Sequence, residues 1–164
     1  MKKYMFRKYK KNYPSLFNKE KEKLEKILPK DARVEHIGST AVPNLGGKGI
    51  LDILIGIKKQ EINDTKNRLI NAGYTLKLSG GEKNRIFFEK DYKKVFGTRR
   101  VHLHLTAYNS KVWNQHIKIR NILRGDKKIA DEYSKMKKEA VKFAEGSGEK
   151  YRQYKRKFLE DLER

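Results

Sequence analysis

Residues 50–57 read ILDILIGI, and such near-continuous isoleucine and leucine predicts a central strand buried on both faces. A shorter strand is predicted at 33–37 (RVEHI), with others at about 74–78, 85–89 (RIFFE) and 101–106 (VHLHLT). Between and around them the apolar period lengthens. After Pro14-Ser15, residues Leu16, Phe17, Leu24, Ile27 and Leu28 recur at roughly helical spacing until Pro29. Glu61 to Ala72 reads as a helix with Ile62, Leu69 and Ile70 on its apolar face and Gly73 as its stop. Asn109-Ser110 can cap a helix through about Arg124, packed by Val112, Trp113, His116, Ile119, Ile122 and Leu123. Two more helices, about 127–144 and 149–163, flank Gly146-Ser147-Gly148.

These elements predict an α/β (α+β) fold: a mixed β-sheet of four or five strands flanked by helices, with a helical C-terminal third. Neither an internal repeat nor a low-complexity linker divides it. One domain over 1–164 is expected, with its sheet core at about 31–108 and its C-terminal helices at about 110–163.

Composition narrows the chemistry. The chain has no cysteine, which excludes disulfides and thiolate metal sites. The basic lead MKKYMFRKYKKNYP lacks an apolar stretch of signal-peptide length, and no segment approaches a membrane span, so a cytoplasmic protein is expected. Lys and Arg number 41 against 20 Asp and Glu, a formal charge of +21. The excess is spread along the chain. Such a field draws in polyanions such as nucleic acid or nucleotides; a merely lysine-rich solvated surface explains the same count.

The most informative residue is Asp52. A carboxylate in a central strand is costly unless it is paired, hydrogen-bonded or on a metal, and Leu51, Ile53, Leu54 and Ile55 offer it no partner. Near the start of its strand it could face a cleft; a structural pair with an arginine is the alternative. About a dozen residues earlier stands Gly38-Ser39-Thr40. A glycine at a strand exit lets backbone approach a ligand, successive N–H groups can cradle an anion, and two hydroxyls can add hydrogen bonds to phosphate. Gly46-Gly47-Lys48-Gly49 is not a P-loop, because Val42 and Gly49 stand where Gly and Ser/Thr are required. Lys48 can still meet a phosphate as a point charge, or serve only as a solvated loop lysine. His102 and His104 point to one face of their strand, suited to metal binding, to acid–base work, or to plain hydrogen bonding beneath a cleft. His36 lies beside the Gly-Ser turn. Arg85, at the head of RIFFE, suits bidentate anion contact or an ordinary strand-edge charge.

Taken together, HIGSTAVPNLGGKGILDILIGI resembles the signature of the GrpB family, whose fold is nucleotidyltransferase-like. NRIFFEK and VHLHL resemble the family's arginine–aromatic and His-x-His strands. WNQHIKIRNILR resembles its Trp…Arg…Leu-Arg helix, which brings in Arg120 and Arg124. YRQYKRKFL resembles its Tyr-x-x-x-Lys-x-x-Phe segment, which brings in Lys155. The resemblance spans about residues 33–160. It implies phosphates of a nucleotide or phosphorylated ligand on Gly38, Ser39 and Thr40. Lys48, Arg85, Arg120 and Lys155 would counter their charge, and Asp52 would hold Mg²⁺ or act as base. His36, His102 and His104 would line the acceptor side. In the wider superfamily, Asp-x-Asp/Glu holds one or two Mg²⁺ ions for nucleotidyl transfer. Here Ile50 and Leu54 flank Asp52 in place of the second carboxylate. The expectation is therefore a nucleotide-binding fold, possessing or having lost Mg²⁺-dependent transfer. The alternative is a non-catalytic nucleic-acid-binding module with a degenerate site.

Overall fold

The computed structural model describes residues 5–164; the first four residues of the basic lead lie outside the described part. Five strands form one sheet: β1 (Arg33–Ile37), β2 (Leu51–Ile57), β3 (Thr75–Leu76), β4 (Ile86–Lys93) and β5 (Thr98–Ala107). Their order is β1-β2-β5-β4-β3. β2 and β5 run parallel at the centre, and every other pairing is antiparallel. Parallel strands need a crossover. It is supplied by α2 (Ile62–Asn71), followed by β3 and β4.

The two faces of the sheet have separate cores. Ile53, Ile55, Ile57, Leu103, Leu105 and Phe88 pack one face against Leu24 and Leu28 and against Leu69 of α2. Leu24 belongs to α1 (Tyr13–Glu25). The alternate residues of β2 face α3 (Lys111–Gly125), where Leu54, Ile37 and Trp113 form a second cluster. Gly56 makes that close approach possible: a Cβ there would lie 2.6 Å from the Trp113 ring. α4 (Lys127–Ala144) and α5 (Gly148–Glu163) pack beyond α3, around Tyr133, Leu123, Val42 and Phe158. Side-chain oxygens of Ser110, Asp126 and Ser147 cap these three helices, as their residue types favour.

Most predicted elements appear within a residue or two. α1 stops at Glu25, short of the predicted end at Pro29. The other exceptions are on one side of the sheet. β3 is only two residues long, because Leu78–Gly80 turns into a short 3-10 segment. β4 and β5 are longer than their apolar cores suggest and continue to Lys93 and Thr98 as a polar hairpin arm. The extension holds through its ladder and a bidentate Arg100–Asp91 pair at 2.8 and 2.9 Å. Tyr92 anchors its base by donating to the buried Glu20 carboxylate at 2.7 Å, which also accepts from Tyr74.

Candidate functional site

Asp52 is the second residue of β2, on the α3 face of the sheet, and a quarter of its side chain (25%) stays open to solvent. It is therefore partly open to solvent at the strand's start. β1 ends beside it, with Ile37 paired to Asp52, and the chain then turns at Gly38 into a 3-10 turn, Ser39–Ala41. Gly38 has φ +73° and ψ −172°, a conformation essentially reserved for glycine. A Cβ at Gly38 would lie 2.8 Å from Asp52 Oδ2, so the turn closes directly over the carboxylate.

Parallel pairing sets His102 level with Asp52 and His104 two residues further on. His104 Nε2 lies 3.0 Å from Asp52 Oδ1, and Arg85 donates to His104 Nδ1 at 2.5 Å. His102 stands between two carboxylates, with Nδ1 3.4 Å from Asp52 Oδ1 and Nε2 3.5 Å from Glu89 Oε1. Burial opposes ionisation of Asp52, but the contacts from His102 and His104 outweigh it and hold its pKa well below the usual carboxylate range. Burial pushes His104 down to about 4, against the pull of Asp52, so its imidazole is neutral at pH 7. His116 completes the group, with its ring 5.8 Å from that of His104 and Nδ1 2.9 Å from the Val112 carbonyl oxygen.

Several candidates serve the architecture instead. His36 and Thr40 are buried; His36 Nε2 bonds Thr40 Oγ1 at 2.9 Å, and its ring stacks on Phe17. Burial lowers His36 to about 4. Neither group lines an acceptor side or offers a hydroxyl to phosphate, because each is turned inward against the other. Arg120 is committed to Glu35 at 2.5 Å and to the His36 carbonyl at 3.1 Å. Arg124 donates to the Ala41 carbonyl at 2.7 Å. From α3 these two arginines brace the end of β1 and the turn after it. Arg85, only 12% exposed, is held by His104, the Gly80 carbonyl and Glu82. Arg85 and Arg120, expected to counter phosphate, are both engaged by protein groups in this structure.

The positive charge in the cleft comes from lysines. Lys48 Nζ lies 4.1 Å from the centre of the Tyr151 ring, and burial with repulsion from Lys155 lowers it to about 8. Lys155 lies among Tyr133 and Tyr151. Tyr133 first raises its pKa above the ordinary range, against burial, and Tyr151 and Asp52 add to the rise. The third lysine escaped the sequence reading. Lys137 of α4 is 2% exposed, and its Nζ lies over the Tyr133 ring at 4.7 Å. A Cβ on Gly47 would fall 2.4 Å from Ser39 Oγ and 3.0 Å from Lys137 Nζ, which puts hydroxyl and ammonium together beside the Gly38 turn. Burial, then Lys155, push Lys137 down to about 7; Asp52 works against them and Lys48 with them. Among the described residues no carboxylate pairs with Lys137.

A model of the family described as GrpB protein matches residues 4–164. The chain belongs to the GrpB family. It is 30% identical over 157 residues to UPF0157 protein YqkA of Bacillus subtilis, covering 94% of this chain and 45% of that protein. It is 29% identical to the Glutamate-rich protein GrpB of Alkalihalophilus pseudofirmus, covering 92% and 88%. The chain thus spans less than half the length of YqkA. The crystal structure of the conserved protein GrpB from Enterococcus faecalis superposes over 98% of this chain and 100% of its own, with TM-score 0.74 and 25% identity. The Cid1 poly(U) polymerase, solved with Mg 3′-dATP bound, gives TM-score 0.55 at 11% identity, covering 81% of this chain and 43% of Cid1. With MgGTP bound it gives 0.52 at 16%, covering 80% and 45%. The GrpB chain therefore has a nucleotidyltransferase fold.

The donor set can be compared with a two-metal centre, which takes several oxygens around ions about 3.5–4 Å apart. Here Asp52 and Glu89 lie on either side of His102, and two imidazoles crowd Asp52 Oδ1. Among the described residues no group of three His, Asp or Glu is disposed to share a metal ion. These residues do not fit a two-metal centre. No helix of the described residues is long and apolar enough to cross a membrane.

Proposed function

We propose that the cleft binds the phosphate groups of a nucleotide. The observation that carries this is Lys137 beside Ser39, with Lys48 and Lys155 close enough to act on it and with Asp52 acting on all three. Two of the three ammonium groups are held below their ordinary pKa, Lys48 by burial and repulsion and Lys137 the more strongly. A phosphate beside Ser39 would relieve both the burial and the repulsion, and strained titration of this kind marks binding sites. Gly38 and Ser39 remain accessible at the turn, whereas Thr40 does not.

Asp52, with His104 neutral beneath it and Arg85 behind, is a fixed negative point at the floor of the cleft. It is suited to accept a hydrogen bond from a ligand hydroxyl. Nucleotidyl transfer in the manner of a two-metal enzyme does not follow from this donor set, and no such step is derived. Mg²⁺ would enter as the counter-ion of the nucleotide itself.

The test is thermal shift with nucleoside triphosphates, monophosphates and sugar phosphates, with and without Mg²⁺, on wild type, Lys137→Met and Asp52→Asn. Ligand at about 100 times its dissociation constant adds roughly 2.7 kcal/mol, which in a domain of this size moves Tm by roughly 5–10 °C. A triphosphate shift lost in Lys137→Met supports the reading. No shift with any phosphate compound overturns it. The second reading, a nucleic-acid-binding module, is favoured by the formal charge of +21. It is separated from the first by affinity for oligonucleotides in the absence of any nucleotide shift.

A further inference from the structure

The hairpin arm formed by the outer halves of β4 and β5 ends in Lys93-Lys94-Val95-Phe96-Gly97-Thr98-Arg99-Arg100. Val95 is 91% exposed and Phe96 94%. The turn is closed by Lys94 N–H donating to the Gly97 carbonyl, and Gly97 (φ +85°) has nothing within 4 Å of where its Cβ would be. The two apolar side chains therefore project from the end of the arm. The single carboxylate nearby, Asp91, is already taken by Arg100. Lys93 and Lys94 have no carboxylate partner among the described residues, and Arg99 lies over the Tyr92 ring at 4.7 Å. An apolar tip ringed by uncompensated cations is complementary to a polyanion that also offers flat apolar faces.

The arm's direction ties it to the cleft. Side chains alternate, so the face of the hairpin that carries His102 and Glu89 at the site is continued outward by Arg100 and Asp91, then by Thr98 and Lys93. β5 begins at Thr98, four residues before His102 and about 13 Å along the strand, and Phe96 lies in the turn beyond it. The bidentate pair and the Tyr92–Glu20 bond stiffen the arm up to its last turn.

We infer that this arm binds single-stranded nucleic acid, stacking a base on Phe96 and holding phosphates with Lys93 and Lys94, so that the strand runs along the polar face toward Asp52. Single-stranded nucleic acid is favoured over a duplex because an exposed aromatic ring can stack only on an unpaired base. It is favoured over a membrane because the polar face leading to the cleft would have no role at a lipid surface. That the strand serves the cleft rests on the nucleotide reading above; that the arm binds it does not.

The experiment is fluorescence anisotropy of a labelled single-stranded RNA oligonucleotide at several salt concentrations, with wild type, Phe96→Ser and the double variant Lys93→Gln/Lys94→Gln. Phe96→Ser is expected to weaken binding roughly ten-fold, the size of one lost base stack. The double variant should lower the log–log salt slope by about 1.4, two single-strand phosphate contacts. All three positions are exposed, and circular dichroism checks that the variants fold. Absence of RNA binding, or binding indifferent to all three substitutions, overturns the inference. So does tighter binding to phosphatidylserine-containing vesicles that the same variants abolish. The triphosphate thermal shift is recorded in parallel. If it is absent while RNA affinity still depends on Phe96, the cleft reading falls and the arm stands.

Discussion

His104 donates a hydrogen bond from Nε2 to Asp52 and accepts one from Arg85 on Nδ1, at 3.0 and 2.5 Å. Guanidinium can only donate, so Nδ1 must accept, and the tautomer is fixed with its proton on Nε2. The imidazole is thus committed at both nitrogens and orients Asp52 instead of acting as a base. Burial holds His104 and His36 near pKa about 4 in the folded protein.

Acid should therefore unfold the protein through these imidazoles. Unfolded histidine binds its proton near pH 6.5, and the folded state refuses it until about pH 4. In that window the unfolded state carries more protons, so stability falls as pH drops from about 6.5 to 4. Each imidazole contributes up to about 1.4 kcal/mol per pH unit. Melting temperature against pH measures the slope, and nitrogen NMR of the His104 ring should show Nδ1 unprotonated to below pH 5. Titration of His104 near 6.5 would contradict the geometry.

Lys137 has the same pH signature in a higher window. Its folded pKa of about 7 lies below its unfolded 10.5, so the unfolded state binds more protons between those values. That lysine makes stability rise with pH across the window. Lys137→Met should remove this slope and raise Tm at pH 7 by several degrees, because each kcal/mol relieved is worth roughly 2–4 °C. The same variant should lose the triphosphate shift. In wild type, phosphate binding should take up protons near pH 8, detectable by calorimetry in buffers of differing ionisation enthalpy. A Lys137→Met protein that melts lower and still binds triphosphate would dispose of the proposed role.

Much of this was legible in the sequence. Buried β2, the isolated Asp52 and the Gly-Ser turn before it are local signals, and they point to the sheet observed and to the turn that closes over Asp52. Lys137 was not found, although a signal existed. Ala130, Tyr133, Lys137, Ala140 and Ala144 form one buried stripe of α4 at helical spacing, with a lysine where an apolar residue belongs. In a chain this rich in lysine one more Lys carries little weight until its face is known. That Arg85, Arg120, His36 and Thr40 hold protein partners is not visible in the sequence, because residue type does not reveal partners. Glu35, the Ala41 carbonyl and Phe17 engage these groups or their neighbours, and only the fold brings them together. The hairpin arm was underestimated because KDYKK has no apolar alternation; its strand state comes from cross-strand pairing.

Gly38→Ala tests how the turn and the carboxylate depend on each other. The substitution forces a side chain into a backbone conformation that costs about 1–3 kcal/mol. It also drives a methyl group against Asp52 Oδ2, 2.8 Å away. Stability should fall by that amount or more, and any phosphate affinity should fall further than stability alone explains. Ser39→Ala, which changes no backbone, should keep the melting temperature and weaken phosphate binding alone. Equal, small effects from both variants would mean that the turn does not approach the ligand.

Gly56→Ala is the matching control on the far end of β2. Its Cβ would meet the Trp113 ring at 2.6 Å and force α3 away from the sheet. Overpacking of this kind costs typically 1–3 kcal/mol. Because α3 carries Arg120 and Arg124, the brace on β1 and on Ala41 should loosen with it. Phosphate affinity should then drop although Gly56 is remote from the turn. A stability loss with unchanged affinity would separate the brace from the site.

Asp52→Asn decides between two uses of the carboxylate. If Asp52 only faces the lysines and a ligand hydroxyl, its charge repels incoming phosphate. Removing it should then tighten metal-free triphosphate binding by about five-fold, for an interaction of order 1 kcal/mol. The dependence on Mg²⁺ should be the same in both proteins, since the ion travels with the nucleotide. If Asp52 instead completes the coordination of Mg²⁺, the variant should lose the metal-dependent part of the affinity and gain nothing without metal. The donor set around Asp52 Oδ1, crowded by His102 and His104, favours the first outcome. Isothermal titration of a triphosphate into both proteins, with Mg²⁺ and with chelator, measures all four affinities. A Mg²⁺-dependent gain in wild type that vanishes in Asp52→Asn would restore a metal to the site.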